Sequence, residues 1–162
     1  MKGMCGGLRK LTSIKIAPSI LAADFGKLQK EVEEIENYSD EVHIDVMDGQ
    51  FVPAITMGPM IVKSLKTKLP IDVHLMVMNP ERQVRAFAEA GAKNISFHVE
   101  AARNPAEVIA LIKKAGCTVG IAINPETPVD KIVSLVSEVD RILVMSVHPG
   151  AVGQLFIPAV LN

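Results

Sequence analysis

Four histidines, His43, His74, His98 and His148, fall in or at the end of apolar, strand-like runs. A buried strand tolerates an unpaired polar side chain poorly, so each ring needs a partner or a purpose. The richest segment is Val42-His43-Ile44-Asp45-Val46-Met47-Asp48-Gly49, in which His43 and Asp45 stand two residues apart. On a strand that spacing puts imidazole and carboxylate on one face. Together they make a natural pair of divalent-metal ligands. Asp72 and His74, followed by Met76, repeat the arrangement one unit later. A mononuclear site takes three or four such groups, and His43, Asp45 and His74 supply three. His98 is the nearest substitute for a fourth but reads better as a core or supporting histidine. Asp72 reads as an inner-layer or strand-start residue, and Asp48, beside Gly49, as a turn former.

A second feature is the run Met145-Ser146-Val147-His148-Pro149-Gly150-Ala151-Val152-Gly153-Gln154. A strand opening into a Gly-containing loop can bring backbone N–H groups to a phosphate without Lys or Arg. Met47, Met76 and Met145 each end a strand-like run; they can pack a core or, at a cavity mouth, form an apolar lining.

Elements that position these groups alternate along the chain. The apolar runs are Ile14–Ala17, Glu41–Met47, Ile71–Val77, Asn94–Val99, Thr118–Ile123 and Arg141–Val147. Amphipathic stretches between them predict helices over Phe25–Glu36, Pro80–Ala90, Pro105–Ala115 and Pro128–Val136. Proline near the start of three of these, and Ala-Gly at the end of two, suit helix boundaries. The pattern is a βα repeat of six units, which implies a parallel sheet. A doubly wound sheet would be complete at this length, whereas a (β/α)₈ barrel usually needs about 200 residues or more. The first βα turn, Pro18-Ser19-Ile20-Leu21-Ala22-Ala23-Asp24, carries no dinucleotide-type glycine fingerprint. Polar residues at the ends of several strands favour the barrel, where they converge on one mouth.

Composition narrows the function. The 162-residue chain has 17 Lys+Arg against 18 Asp+Glu, a balance that argues against a nucleic-acid partner. It is 49% hydrophobic, too apolar for a disordered tail, yet no run approaches the ~20 residues that span a bilayer. Cys5 and Cys117 lack CxxC spacing, which points away from a thiolate metal site and toward a reducing, cytoplasmic setting. Residues 1–13 read as an N-terminal extension and 14–162 as one domain.

Several stretches together resemble the ribulose-phosphate 3-epimerase family: Pro18 to Asp24, His43 to Pro53, Asp72 to Val77, Phe97 to Glu100, Ile123 to Pro128 and Val144 to Val147. They run in family order from about Lys15 to Pro158, and the His43–Pro53 stretch is the most specific. The resemblance implies a (β/α)₈ TIM barrel of the ribulose-phosphate-binding type, with about six βα units in this chain. It implies interconversion of D-ribulose 5-phosphate and D-xylulose 5-phosphate by inversion at C3 through an enediolate. His43, Asp45 and His74 would hold one divalent metal, with Zn²⁺ or Fe²⁺ favoured and Mn²⁺ or Co²⁺ admissible, and Asp45 would also move a proton. Ser19, His74 and the loop residues Gly150, Ala151, Val152 and Gly153 would contact the sugar phosphate, and Met47, Met76 and Met145 would line the pocket. The implied partners are a sugar phosphate and further copies of the chain.

Two departures qualify this expectation. The family's second acid, an Asp on the seventh strand, and its phosphate loop after the eighth lie beyond Asn162. The sixth loop usually reads Pro-Gly-Phe-Gly-Gly-Gln-Lys-Phe, where this chain has Pro149-Gly150-Ala151-Val152-Gly153-Gln154-Leu155-Phe156, preceded by His148 where Glu or Asn is usual. The alternatives are a truncated, catalytically incompetent relative or fragment, and an epimerase of another ketose phosphate, such as D-allulose 6-phosphate.

Overall fold

The computed structural model describes residues 14–161, so the expected extension at 1–13 lies outside the described residues. Five strands form one sheet: β1 (Val42–Met47), β2 (Ile71–Met76), β3 (Asn94–His98), β4 (Thr118–Ile123) and β5 (Arg141–Val144). Every pairing is parallel and the order is β1-β2-β3-β4-β5, without reversal. A doubly wound sheet reverses direction and covers both faces with helices. Here the sequential order builds the wall of a TIM barrel.

The helices are α1 (Leu28–Ile35), α2 (Pro59–Ser64), α3 (Val84–Ala90) and α4 (Pro105–Lys114). A 3₁₀ turn, Phe25–Lys27, leads into α1, with the Asp24 carboxylate accepting from Gly26 N–H. Asn104 caps α4 in the same way through Glu107 N–H, and Pro105 occupies the first helical position. α3 stops at Gly91, whose φ of 115° suits a residue without Cβ.

Strand alternation divides the residues cleanly. One face carries Val42, Ile44, Val46, Val73, Leu75, Ile95, Phe97, Val119 and Ile121, and packs with Leu28, Val32, Val62, Val84, Phe87, Val108 and Ile112 of the helices into one core. The other face carries His43, Asp45, Met47, Asp72, His74, Ser96, His98 and Gly120, level with one another through the register. Thus β1 to β4 are largely buried on both faces, apolar outside and polar within.

Three elements differ from the sequence expectation. Ile14–Ala17 is not a strand. The segment runs beside β1, with Ile16 O accepting from Asp40 N–H and Pro18 O from His43 N–H, but only Ser19↔His43 forms a parallel bridge. Pro18 has no N–H to continue the ladder. In place of the helix expected over Pro128–Val136 lie 3₁₀ stretches, Val129–Lys131 and Val133–Glu138. The β-branched Val129, Ile132, Val133 and Val136 lose side-chain freedom in an α-helix, and no side chain caps the start. Helix α2 was not expected; six residues are too short to show a period, and Pro59 after Gly58 is its one local signal.

Phe97 is fully buried on the outer face of β3. Phe97→Ala is expected to cost about 3–5 kcal/mol in urea unfolding. A loss below about 1 kcal/mol would show that this face does not carry the core.

Candidate functional site

Residues from within β1 and β2 meet on the inner face. The β1–β2 register sets Asp45 level with His74 and His43 level with Asp72. His74 Nδ1 lies 3.0 Å and His43 Nε2 3.3 Å from the same oxygen, Asp45 Oδ1. The other oxygen, Oδ2, accepts from Ser19 Oγ at 2.5 Å. His43, Asp45 and His74 each offer one ligand atom, all within 4.8 Å of one another. They form a group able to hold a metal ion.

The far side of each imidazole decides what its near side offers. His43 Nδ1 lies 2.7 Å from Asp72 Oδ2, to which it donates, leaving Nε2 to face Asp45. His74 Nε2 lies 2.9 Å from His98 Nε2, and His98 Nδ1 lies 3.2 Å from Glu100 Oε2. Glu100 is itself fixed by Asn124 N–H and the Thr127 hydroxyl. Burial raises its pKa, but His98, Asn124 and Thr127 outweigh this and hold it at about 2. An ionised Glu100 can only accept, so with neutral rings His98 donates to Glu100 and His74 donates to His98. The lone pair of His74 Nδ1 then points at Asp45. Two imidazole lone pairs and a carboxylate therefore converge on one point, an arrangement that calls for a cation.

Burial opposes charge on His43, yet Asp45 and Asp72 outweigh it and raise its pKa to about 9. His74 moves the other way, to about 4, because burial dominates and the charges of His98 and His43 add to it against Asp45. Burial also works against the Asp45 charge, but both histidines hold its carboxyl well below the usual range. Without a metal, then, the compensating proton sits on His43.

These groups open into a cavity of about 390 Å³ that also touches Met47, Met76, Met145 and the loop Gly150, Ala151, Val152 and Gly153. Met47, Met76 and Val52 form a small apolar cluster at this mouth. Gly150 and Gly153 have φ of 115° and 72°, and a Cβ on Gly150 would meet Val52 at 3.1 Å. Gln154 folds the loop by donating to His148 O and Ala151 O.

Not every histidine joins the cluster. His148 is exposed and pairs with Glu126 at 2.6 Å, because β5 ends at Val144 and the chain has turned outward. Asp48 is a turn residue, accepting from Gln50, Phe51 and Met78 N–H. Sequence reasoning passed over Glu100, Arg141 and Phe51, whose ring lies 4.7 Å from that of His98. Glu100, two residues beyond His98, carried a usable signal.

The profile of the ribulose-phosphate 3 epimerase family matches residues 15–162. The ribulose-phosphate 3-epimerase of Bacillus subtilis is 49% identical over 151 residues, covering 91% of this chain and 70% of that protein. The one from Mycobacterium tuberculosis H37Rv is 49% identical over 149 residues, covering 91% and 65%. That of Schizosaccharomyces pombe is 45% identical over 157 residues, covering 93% and 69%. The chain thus spans roughly two thirds of the length of these curated relatives. Among solved structures, the tryptophan synthase alpha chain of Legionella pneumophila has a TM-score of 0.54 at 13% identity, covering 82% of this chain and 62% of that one. That likeness is one of fold.

A cation entering the cluster must displace the His43 proton. Because that proton is held up to a pKa of about 9, binding at pH 7 should release close to one proton. Apparent Zn²⁺ affinity should rise about tenfold per pH unit below about pH 9 and level off above it. Calorimetric titration in buffers of different ionisation enthalpy counts the protons. Zero release would place the metal elsewhere.

Proposed function

Because the chain belongs to the ribulose-phosphate 3 epimerase family, we propose that its cavity carries out proton transfer at C3 of D-ribulose 5-phosphate, toward D-xylulose 5-phosphate. The observation that carries this reading is the convergence of His43, Asp45 and His74, with Ser19 on the remaining oxygen of Asp45. A divalent ion held by those three would polarise the C2 carbonyl and stabilise negative charge as the C3 proton leaves. Zn²⁺ or Fe²⁺ suits the mixed imidazole and carboxylate donors, and Mn²⁺ or Co²⁺ is also compatible.

The chain's own groups do the rest. Asp45, held ionised, takes the C3 proton on one face of the sugar, and the Ser19 hydroxyl holds its carboxylate in place. Met47, Met76 and Met145 exclude water beside the reacting carbon. The Gly150–Gly153 loop offers backbone N–H groups to the phosphate. Inversion requires an acid on the opposite face as well. Among the described residues, the metal-capable group contains one carboxylate. That favours a second reading, in which the 162-residue chain alone lacks competent turnover. We place the protein in the cytoplasm, with a sugar phosphate as its partner.

Asp45→Asn should bring C3–H exchange of ribulose 5-phosphate in D₂O down to the uncatalysed rate while the fold persists, as read by NMR and circular dichroism. Retention of a tenth of the exchange rate with metal bound would remove Asp45 from proton transfer. His43→Ala and His74→Ala should lower metal occupancy without lowering the metal-free melting temperature, and unchanged stoichiometry would contradict the ligand set.

We also propose self-association. β5 is an edge strand among the described residues, and Ile142 and Val144 on its outer face are 42% and 49% exposed. Apolar edges recruit other strands. Light scattering should give a mass above the 17.5 kDa of one chain, and a monodisperse monomer would contradict it.

A further inference from the structure

The inner face holds one large cation that the proposed reaction does not use. Arg141 opens β5, and its side chain crosses the interior to the start of β1. Both terminal nitrogens bond Glu41, Nη1 to Oε2 and Nη2 to Oε1, each at 2.9 Å. This two-point grip fixes the guanidinium plane. So held, Nη1 lies 3.3 Å from Asp72 Oδ1. That oxygen is buried and accepts no hydrogen bond, so the Arg141 charge is its close compensation. The opposite oxygen of the same carboxylate is the one that receives His43 Nδ1–H.

The path for this side chain is specified separately. Arg141 stands level with Gly120 on β4 and Gly120 level with Ser96 on β3. A Cβ on Gly120 would come within 2.0 Å of Ser96 Oγ and 3.1 Å of Arg141 Cγ. The absence of a side chain at Gly120 opens the slot through which the arginine reaches Glu41 and Asp72.

We propose that Arg141 is a positioning residue for the metal-capable cluster: gripped by Glu41, it holds the Asp72 carboxylate so that His43 donates from Nδ1 and presents Nε2 to Asp45. The inference rests on the proposed use of His43, Asp45 and His74 as ligands. Without the arginine, Asp72 is a buried carboxylate with one oxygen uncompensated and free to rotate. That rotation breaks the His43 hydrogen bond. Such supporting contacts are worth about 10–100-fold in metal affinity.

The test uses the full chain and its Arg141→Met, Arg141→Lys and Glu41→Gln variants. Two quantities are read: Zn²⁺ affinity, and the downfield NMR signal of the His43 Nδ1–H in metal-free protein. Arg141→Met should lose that signal and weaken Zn²⁺ binding about tenfold or more. Arg141→Lys keeps the charge without the two-point grip and should recover part of both, and Glu41→Gln should fall between. A variant that melts earlier but keeps the His43 signal and binds Zn²⁺ within about twofold of the unaltered chain would make Arg141 a strut only and overturn the proposal. Should Arg141→Met fail to fold, the two milder variants decide by the same readouts. If the unaltered chain binds no Zn²⁺, the ligand reading fails, while the His43 signal still decides whether Arg141 sets that ring.

Discussion

Three acceptors aimed at one point govern this structure. The Asp45 carboxylate and the inward nitrogens of His43 and His74 lie within 4.8 Å of one another on the inner face of a parallel sheet. In a region of low dielectric such a meeting is unfavourable unless a proton or cation sits among them. The remaining polar interior is arranged around that requirement. Asp72 stands behind His43, and Glu100 stands behind His98, which stands behind His74. Each backing carboxylate draws a ring proton away from the centre and leaves a lone pair facing it.

Such a centre is stable only on a scaffold that gains its stability elsewhere. All of the helix packing falls on the outer face, where the strands contribute valine, isoleucine, leucine and phenylalanine to one core. That frees the inner face from the demand to be apolar. Small residues there, Ser96 and Gly120, leave room for the larger polar chains of neighbouring strands. The parallel register then does the aligning. Asp45 and His74 meet because their strands pair at that level, and a slip by one residue would turn His74 outward into the helices.

What the sequence made legible follows the same division. A spacing of two on a strand is local, so the common face of His43 and Asp45 could be read from the chain. So could the turn at Asp48, whose carboxylate is satisfied by amides within three residues and by Met78. Arg141 could not. Its partners Glu41 and Asp72 lie 100 and 69 residues away, and only the register of five strands brings them together. Glu100, two residues beyond His98, was visible, but its role depends on the His98 ring and on the Asn124 N–H and Thr127 hydroxyl beyond β4. At the chain start, an apolar run resembled a strand, but Pro18 interrupts the donors on which a ladder depends.

The loop after β5 shows how a departure from the family pattern can be partial. Its path depends on Gly150 and Gly153, both at positive φ, with a Cβ on Gly150 meeting Val52 tightly at 3.1 Å. The positions at which the expected pattern has an aromatic, a third glycine and Lys are Ala151, Val152 and Leu155, and all three are exposed. Backbone and side-chain changes are therefore mixed in this segment. The proposed anion contact through main-chain N–H groups draws on the two retained glycines, whereas an aromatic at the tip has no counterpart in Ala151. His148, turned outward to Glu126, is likewise a side-chain difference. It lies at the rim of the cavity and makes no contact with the carboxylate and imidazoles at its floor.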